Sequence, residues 1–161
     1  MRFICIFFFL FGCANLEFVY EKKDKNLLKN STSLILVGDQ KDIVYSQLFS
    51  LVGRNVEKIY ILEVDVKEII SKEVIGSDSA TSKYNVSHAI TYKLTKAKIN
   101  CSLLEKKITT TNNYNSKSAG YNFGTDVSKT KTIENNIINN IENFLKTASA
   151  LLNTELCSNE D

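Results

Sequence analysis

The chain has no proline, no tryptophan, a single histidine and only six glycines among its 161 residues. Each shortage excludes something. Without proline, tight turns have to be made with Gly, Asn, Asp and Ser. With one histidine, multi-histidine metal centres are ruled out, and any Ser-His-Asp or Cys-His site has to be built on His88. An excess of one charge is missing too: twenty basic residues, eighteen of them lysine, face eighteen acidic ones, for a formal net charge of +2. That balance carries no electrostatic footprint for nucleic acid. The expectation is a protein that is not an enzyme, with no cofactor, no metal and no nucleic-acid partner. What remains is 43% hydrophobic and 24% charged residues, the profile of a folded chain, at a length that suits one domain with its own core.

The one long apolar run stands at the N-terminus. Met1-Arg2 precedes Phe3-Ile4-Cys5-Ile6-Phe7-Phe8-Phe9-Leu10-Phe11, and Gly12-Cys13 follows. A positive charge, an apolar stretch too short to span a bilayer, a small residue and a cysteine make the layout of a secretory signal. Leu10-Phe11-Gly12-Cys13 resembles the lipobox of bacterial lipoproteins. That resemblance implies a signal peptide over 1–12, an acylated Cys13 as the first mature residue, and buried acyl chains as the membrane anchor. Ala14 follows the cysteine in place of the Asp that marks inner-membrane retention, which implies the outer membrane, on its periplasmic side. Cys101 and Cys157 are then left in an oxidising compartment. They are either joined as a disulfide or two separate buried thiols, and spacing alone leaves both readings open.

Residues 13–32 are polar and Lys/Asn-rich apart from Phe18-Val19-Tyr20, and are expected as a tether. Leu34-Ile35-Leu36-Val37, ending at Gly38, reads as a buried strand. Asp39 is expected to cap a helix, with Asp42 in its first turn and Val44, Leu48, Leu51 and Val52 as its apolar stripe up to Gly53. From Tyr60 the period changes to two. Tyr60, Leu62, Val64, Val66 and Ile70 alternate with Glu63, Asp65, Lys67 and Ser71, and Tyr84, Val86, His88, Ile90, Tyr92 and Leu94 repeat the pattern after Gly76-Ser77-Asp78-Ser79. Two long strands in a hairpin follow from this. His88 falls on the buried face, where a hydrogen-bonded histidine in a sheet is the expectation. A third strand is predicted over Cys101–Tyr114, with Asn115-Ser116-Lys117-Ser118 as loop. Asp126 is expected to cap a last amphipathic helix with Ile133, Ile137, Ile141, Leu145, Ala148 and Leu152 on one face and Glu134, Asn135, Asn139, Glu142, Asn143 and Lys146 on the other. The reading is a single α+β domain over 33–155: a two-layer sandwich of a four-stranded, mostly antiparallel sheet with two helices on one face, in the order β-α-β-β-β-α. A polar tail over 156–161 completes it.

A lipobox, a Phe-x-Tyr soon after it and this order of elements together resemble the LPS-assembly lipoprotein family LptE, across essentially the whole mature chain. The family's opening proline is absent here, and its Phe is displaced. The resemblance implies a plug and assembly partner of the outer-membrane β-barrel LptD, with contact to lipopolysaccharide. Lys72, Lys83 and Lys117, near hairpin ends and loops, are the candidates to meet its phosphates as point charges; ordinary solvated surface is the competing reading for them. The alternative function is an outer-membrane-anchored auxiliary lipoprotein of a lipid-trafficking ABC transport system, without an obligate barrel.

Overall fold

The expected β-α unit forms as β1 (Thr32–Gly38) and α1 (Lys41–Val52) in the computed structural model, which describes residues 28–75, 81–117 and 123–152. The expected signal peptide, Cys13, most of the tether and the C-terminal tail with Cys157 lie outside these described residues. Gly38, at φ 98°, turns the chain where any Cβ would collide with the Val66 carbonyl, so only glycine fits there without strain. The helix is not capped by Asp39. Gln40 takes the N-cap position in the left-handed region, at φ 51°, with no side-chain cap bond. That kink sends the Asp39 carboxylate towards the next strand, where its Oδ2 accepts the Glu68 N–H at 2.9 Å. Asp42 does sit in the first turn, favourably placed in the helix dipole. Gly53, at φ 69°, ends α1 by donating its N–H to the Phe49 carbonyl.

α1 is the crossover that lets β1 run parallel to β2 (Tyr60–Ile75), in register from Thr32 opposite Tyr60 to Gly38 opposite Val66. β3 (Thr81–Lys96) and β4 (Cys101–Lys117) continue as an antiparallel meander, giving the sheet order β1-β2-β3-β4. β4 runs beyond Tyr114 through residues expected as loop, because Asn115, Ser116 and Lys117 still pair with Lys83, Ser82 and Thr81. A long partner strand overrides weak strand propensity. A bulge between Leu94 and Thr95 shifts the register so that Leu103 has no opposite residue.

The last element, α2, spans Phe123–Leu152. It starts three residues before Asp126, which lies inside the first turn and is not the cap. α2 packs on β3 and β4, α1 packs beside it, and both helices cover one face of the sheet. Between the layers Val44, Leu48 and Val52 of α1 and Ile133, Ile137, Ile141, Phe144 and Ala148 of α2 meet Leu62, Val64, Val66, Val86, Ile90, Tyr92 and Leu94. Tyr92 and Phe144 stack with ring centres 4.2 Å apart. The fold is the α+β two-layer sandwich expected.

One boundary moves, and one strand is more open than expected. The core reaches back to Leu28, and Ser31 and Thr32 are buried with it, so residues 28–32 belong to the domain and not to a tether. The Thr32 hydroxyl holds this segment by donating to the Leu28 carbonyl at 2.9 Å. β1 is also not a buried strand: Ile35 is 51% and Val37 56% exposed. With both helices on one side, every second residue of an edge strand faces outwards. No helix among the described residues is long and apolar enough to cross a membrane.

Candidate docking face and the polar network behind it

Strand alternation sorts the polar residues into two sets. On β2 the helix-facing positions run Leu62, Val64, Val66 and then Glu68, whose cross-strand neighbour on β3 is His88. The His88 ring is fully buried and its Nε2 lies 2.9 Å from Glu68 Oε2. A carboxylate only accepts, so Nε2 carries the proton and Nδ1 is left as an acceptor. Asn136 of α2 supplies the donor: its Nδ2 lies 3.3 Å from His88 Nδ1 and 2.8 Å from the Val86 carbonyl. Gln40 Nε2 donates to both Glu68 oxygens, at 3.3 and 3.2 Å. One turn further along α2, Asn140 accepts from the Tyr92 hydroxyl at 2.9 Å and donates to the Ile108 carbonyl at 2.9 Å. Thr110 of β4 closes the set by donating to the Asn136 carbonyl at 3.0 Å.

The electrostatics follow from this burial. Burial pushes the Tyr92 phenol far above its ordinary ionisation range. Tyr114, stacked on Tyr84 at 5.1 Å, is raised by burial first and then by the nearby Tyr84, Asp126 and Glu68. Both ring nitrogens of His88 are engaged within the protein, so neither faces a substrate. Among the described residues no group of three or more His, Cys, Asp and Glu side chains is placed to hold a metal ion. The arrangement sets register: two asparagines four residues apart on one helix face read the carbonyls of two strands.

Among the described residues, no helix lies on the opposite face of the sheet. Glu63, Asp65, Lys67 and Ser71 of β2, Lys83, Ser87, Thr91 and Lys93 of β3, and Glu105, Lys107, Thr109 and Thr111 of β4 lie on it. Lys93 pairs with Glu63 at 3.6 Å, Lys83 with Glu73 at 3.9 Å, and the Thr111 and Ser87 hydroxyls meet at 3.1 Å. At the β1 side a groove of about 280 Å³ opens between Ile35 and Val37 on one flank and Glu63, Asp65, Lys93 and Glu105 on the other. Further out, Ile69 is 63% exposed.

The lysines singled out for phosphate contact do not converge. Lys72 is exposed and registers with Tyr84 on the helix side of the sheet, whereas Lys83 stands on the open face, engaged by Glu73. Lys117 ends β4, and its side chain is outside the described ones. Cys101 opens β4 and is disulfide-bonded; Cys157 lies outside the described residues. Sequence reasoning passed over Glu68, Asn136 and Asn140. Their signal was present: a carboxylate on the apolar parity of β2, and two asparagines at helical spacing inside the stripe that runs from Ile133 to Phe144.

No family model matches the sequence, and no curated protein matches it. Solved structures share the fold. A Caulobacter crescentus protein assigned as a lipoprotein superposes with a TM-score of 0.63 at 10% identity, over 83% of this chain and 98% of its own. A minor lipoprotein from Acinetobacter baumannii follows at 0.55 and 14%, over 74% and 90%. Rare lipoprotein B from Shewanella oneidensis gives 0.52 and 12%, over 76% and 98%. At these identities the likeness is one of fold.

Proposed function

We propose that the protein is an outer-membrane lipoprotein of the LptE kind, anchored through acyl chains on Cys13 at the periplasmic side, that lodges in and helps assemble the lipopolysaccharide-translocating barrel LptD. The observation that carries this reading is the uncovered sheet face. Three antiparallel strands of 16, 16 and 17 residues, each roughly 50 Å long, present Ser, Thr, Asn, Lys and Glu on a surface that no helix among the described residues covers. A long polar β-surface matches the polar lumen of a large barrel, where hydrogen-bonding groups replace water. The Leu10-Phe11-Gly12-Cys13 segment supports the anchor, and the fold shared with three proteins that carry lipoprotein names supports the class. Between Lys72 and Lys83, we assign lipid phosphate contact to Lys72, because Glu73 already engages Lys83.

The test is a detergent extraction of outer membranes followed by capture through a C-terminal tag and mass spectrometry. Recovery of a large β-barrel in about equal amount supports the reading. Recovery of the protein alone, or with periplasmic and inner-membrane transport components, overturns it in favour of an auxiliary lipoprotein of a lipid-trafficking transport system.

A further inference from the structure

Cys101 is disulfide-bonded, and the chain's other cysteines are Cys5, Cys13 and Cys157. The path of α2 over the sheet bears on which of them is the partner. The Asn136 carbonyl sits at the Thr110 hydroxyl, and the Thr147 hydroxyl sits 3.1 Å from Lys106 Nζ. As α2 advances from 136 to 147, its neighbours on β4 therefore move back from 110 to 106, and the helix runs antiparallel to β4, towards Cys101. From Thr147 to its end at Leu152 the helix advances about 7.5 Å more. From Lys106 back to Cys101 the strand covers about 16 Å. The gap left along the strand is about 9 Å, and the two layers are separated by about 10 Å, so the end of α2 stands about 13 Å from Cys101. The five residues from Leu152 to Cys157 reach up to about 17 Å when extended.

We infer that Cys157 is the partner of Cys101, so that a disulfide staples the segment following α2 to the first residue of β4. The inference rests in part on the proposed lipoprotein reading, in which Cys5 leaves with the signal peptide and the Cys13 sulfur is blocked as a thioether to the lipid. In forming the bond the two thiols give up two electrons and two protons to a disulfide-donating thiol oxidase of the envelope, whose own disulfide is reduced to a dithiol. The staple has a role in the proposed function. α2 brings Ile133, Ile137, Ile141, Phe144 and Ala148 of the core and both buried asparagines to β3 and β4, and a covalent tie near its C-terminal end holds it on the helix side while the opposite face of the sheet stays open for a partner.

The experiment uses the full-length protein taken from the envelope without reductant, its free thiols blocked with iodoacetamide, then cut with trypsin and mapped by mass spectrometry before and after reduction. The expected product is the peptide 99–106 joined to the peptide 147–161, separating on reduction. Under non-reducing conditions Cys157→Ser is expected to lower the Tm by roughly 5–15 °C. Reductant should lower the wild-type Tm by a similar amount and leave the variant unchanged. Peptide 99–106 joined to a peptide containing Cys13 would overturn the inference together with the acylated anchor. A blocked Cys157 alongside an acylated Cys13 would overturn the staple alone and leave the anchor standing. The linked 99–106 and 147–161 pair in a protein that captures no barrel would uphold the staple and remove only the barrel reading.

Discussion

A histidine with no exposed surface is tolerable only when both ring nitrogens are satisfied, and Glu68 and Asn136 do this for His88. Glu68→Ala leaves the Nε2–H without its acceptor, and is expected to cost about 2–4 kcal/mol in urea unfolding. Glu68→Gln keeps an oxygen in reach and should cost about 1 kcal/mol; equal losses would show that the contact itself contributes little. Tyr92→Phe removes the donor to Asn140 Oδ1, for an expected loss of about 1–2 kcal/mol at neutral pH. It also changes the alkaline limb. Because the folded chain holds the Tyr92 phenol protonated to higher pH than the unfolded chain does, the unfolded chain gives up its proton first. Stability is fully present below about pH 10 and falls above it, by up to about 1.4 kcal/mol per pH unit. Unfolding curves collected from pH 9 to 11.5 should show a shallower decline in Tyr92→Phe than in the wild type. At this scale the sequence was half legible. The inward parity of His88 could be read, but its partner on β2 is set by a register that alternation along one strand does not reveal.

Elements were the most legible level, because periods of two and 3.6 survive in a single sequence. β2, β3 and the stripe of α2 stand where the pattern places them. The ends of elements did not follow. Asp39 and Asp126 both have the chemistry of a cap, yet Asp39 is drawn to the Glu68 backbone and Asp126 is overtaken by helix that starts at Phe123. Two glycines test how backbone geometry and space separate. At Gly38 an added Cβ meets the Val66 carbonyl at a φ of 98°, so Gly38→Ala should cost about 3 kcal/mol or more and loosen the β1-α1 unit. Gly124 is helical and an added Cβ there meets nothing within 4 Å; Gly124→Ala should stabilise by about 0.5–1 kcal/mol. Thermal melts of the two variants should therefore move in opposite directions from the wild type.

At the scale of the molecule the decisive feature is asymmetry: among the described residues one face of the sheet is closed by two helices and the other is left open. If the open face and the far end of the β2-β3 hairpin engage a barrel, shortening residues 76–80 to a two-residue Asn-Gly turn should leave folding nearly intact. The flanking pairs, Ile75 with Thr81 and Val74 with Ser82, remain to close the hairpin. The expected outcome is a Tm within a few degrees of wild type and at least a fivefold loss of barrel in the tagged pull-down. Full recovery of the barrel would remove the hairpin end from the docking surface.

By itself the sequence determined the number, type and order of the elements, the side of β3 that His88 faces, and an N-terminal segment with the layout of a lipoprotein signal. Those depend on local period and on short spacings, which a chain carries before it folds. Tertiary structure alone decided that Glu68 meets His88, that Asn136 and Asn140 turn inwards to read strand carbonyls, that β1 keeps an open face, and that Lys72 and Lys83 part to opposite sides. Each of these depends on which strand lies beside which, and in what register. A shift of one residue sends every side chain of a strand to the other face, so only the assembled sheet, held in place by its helices, could settle them.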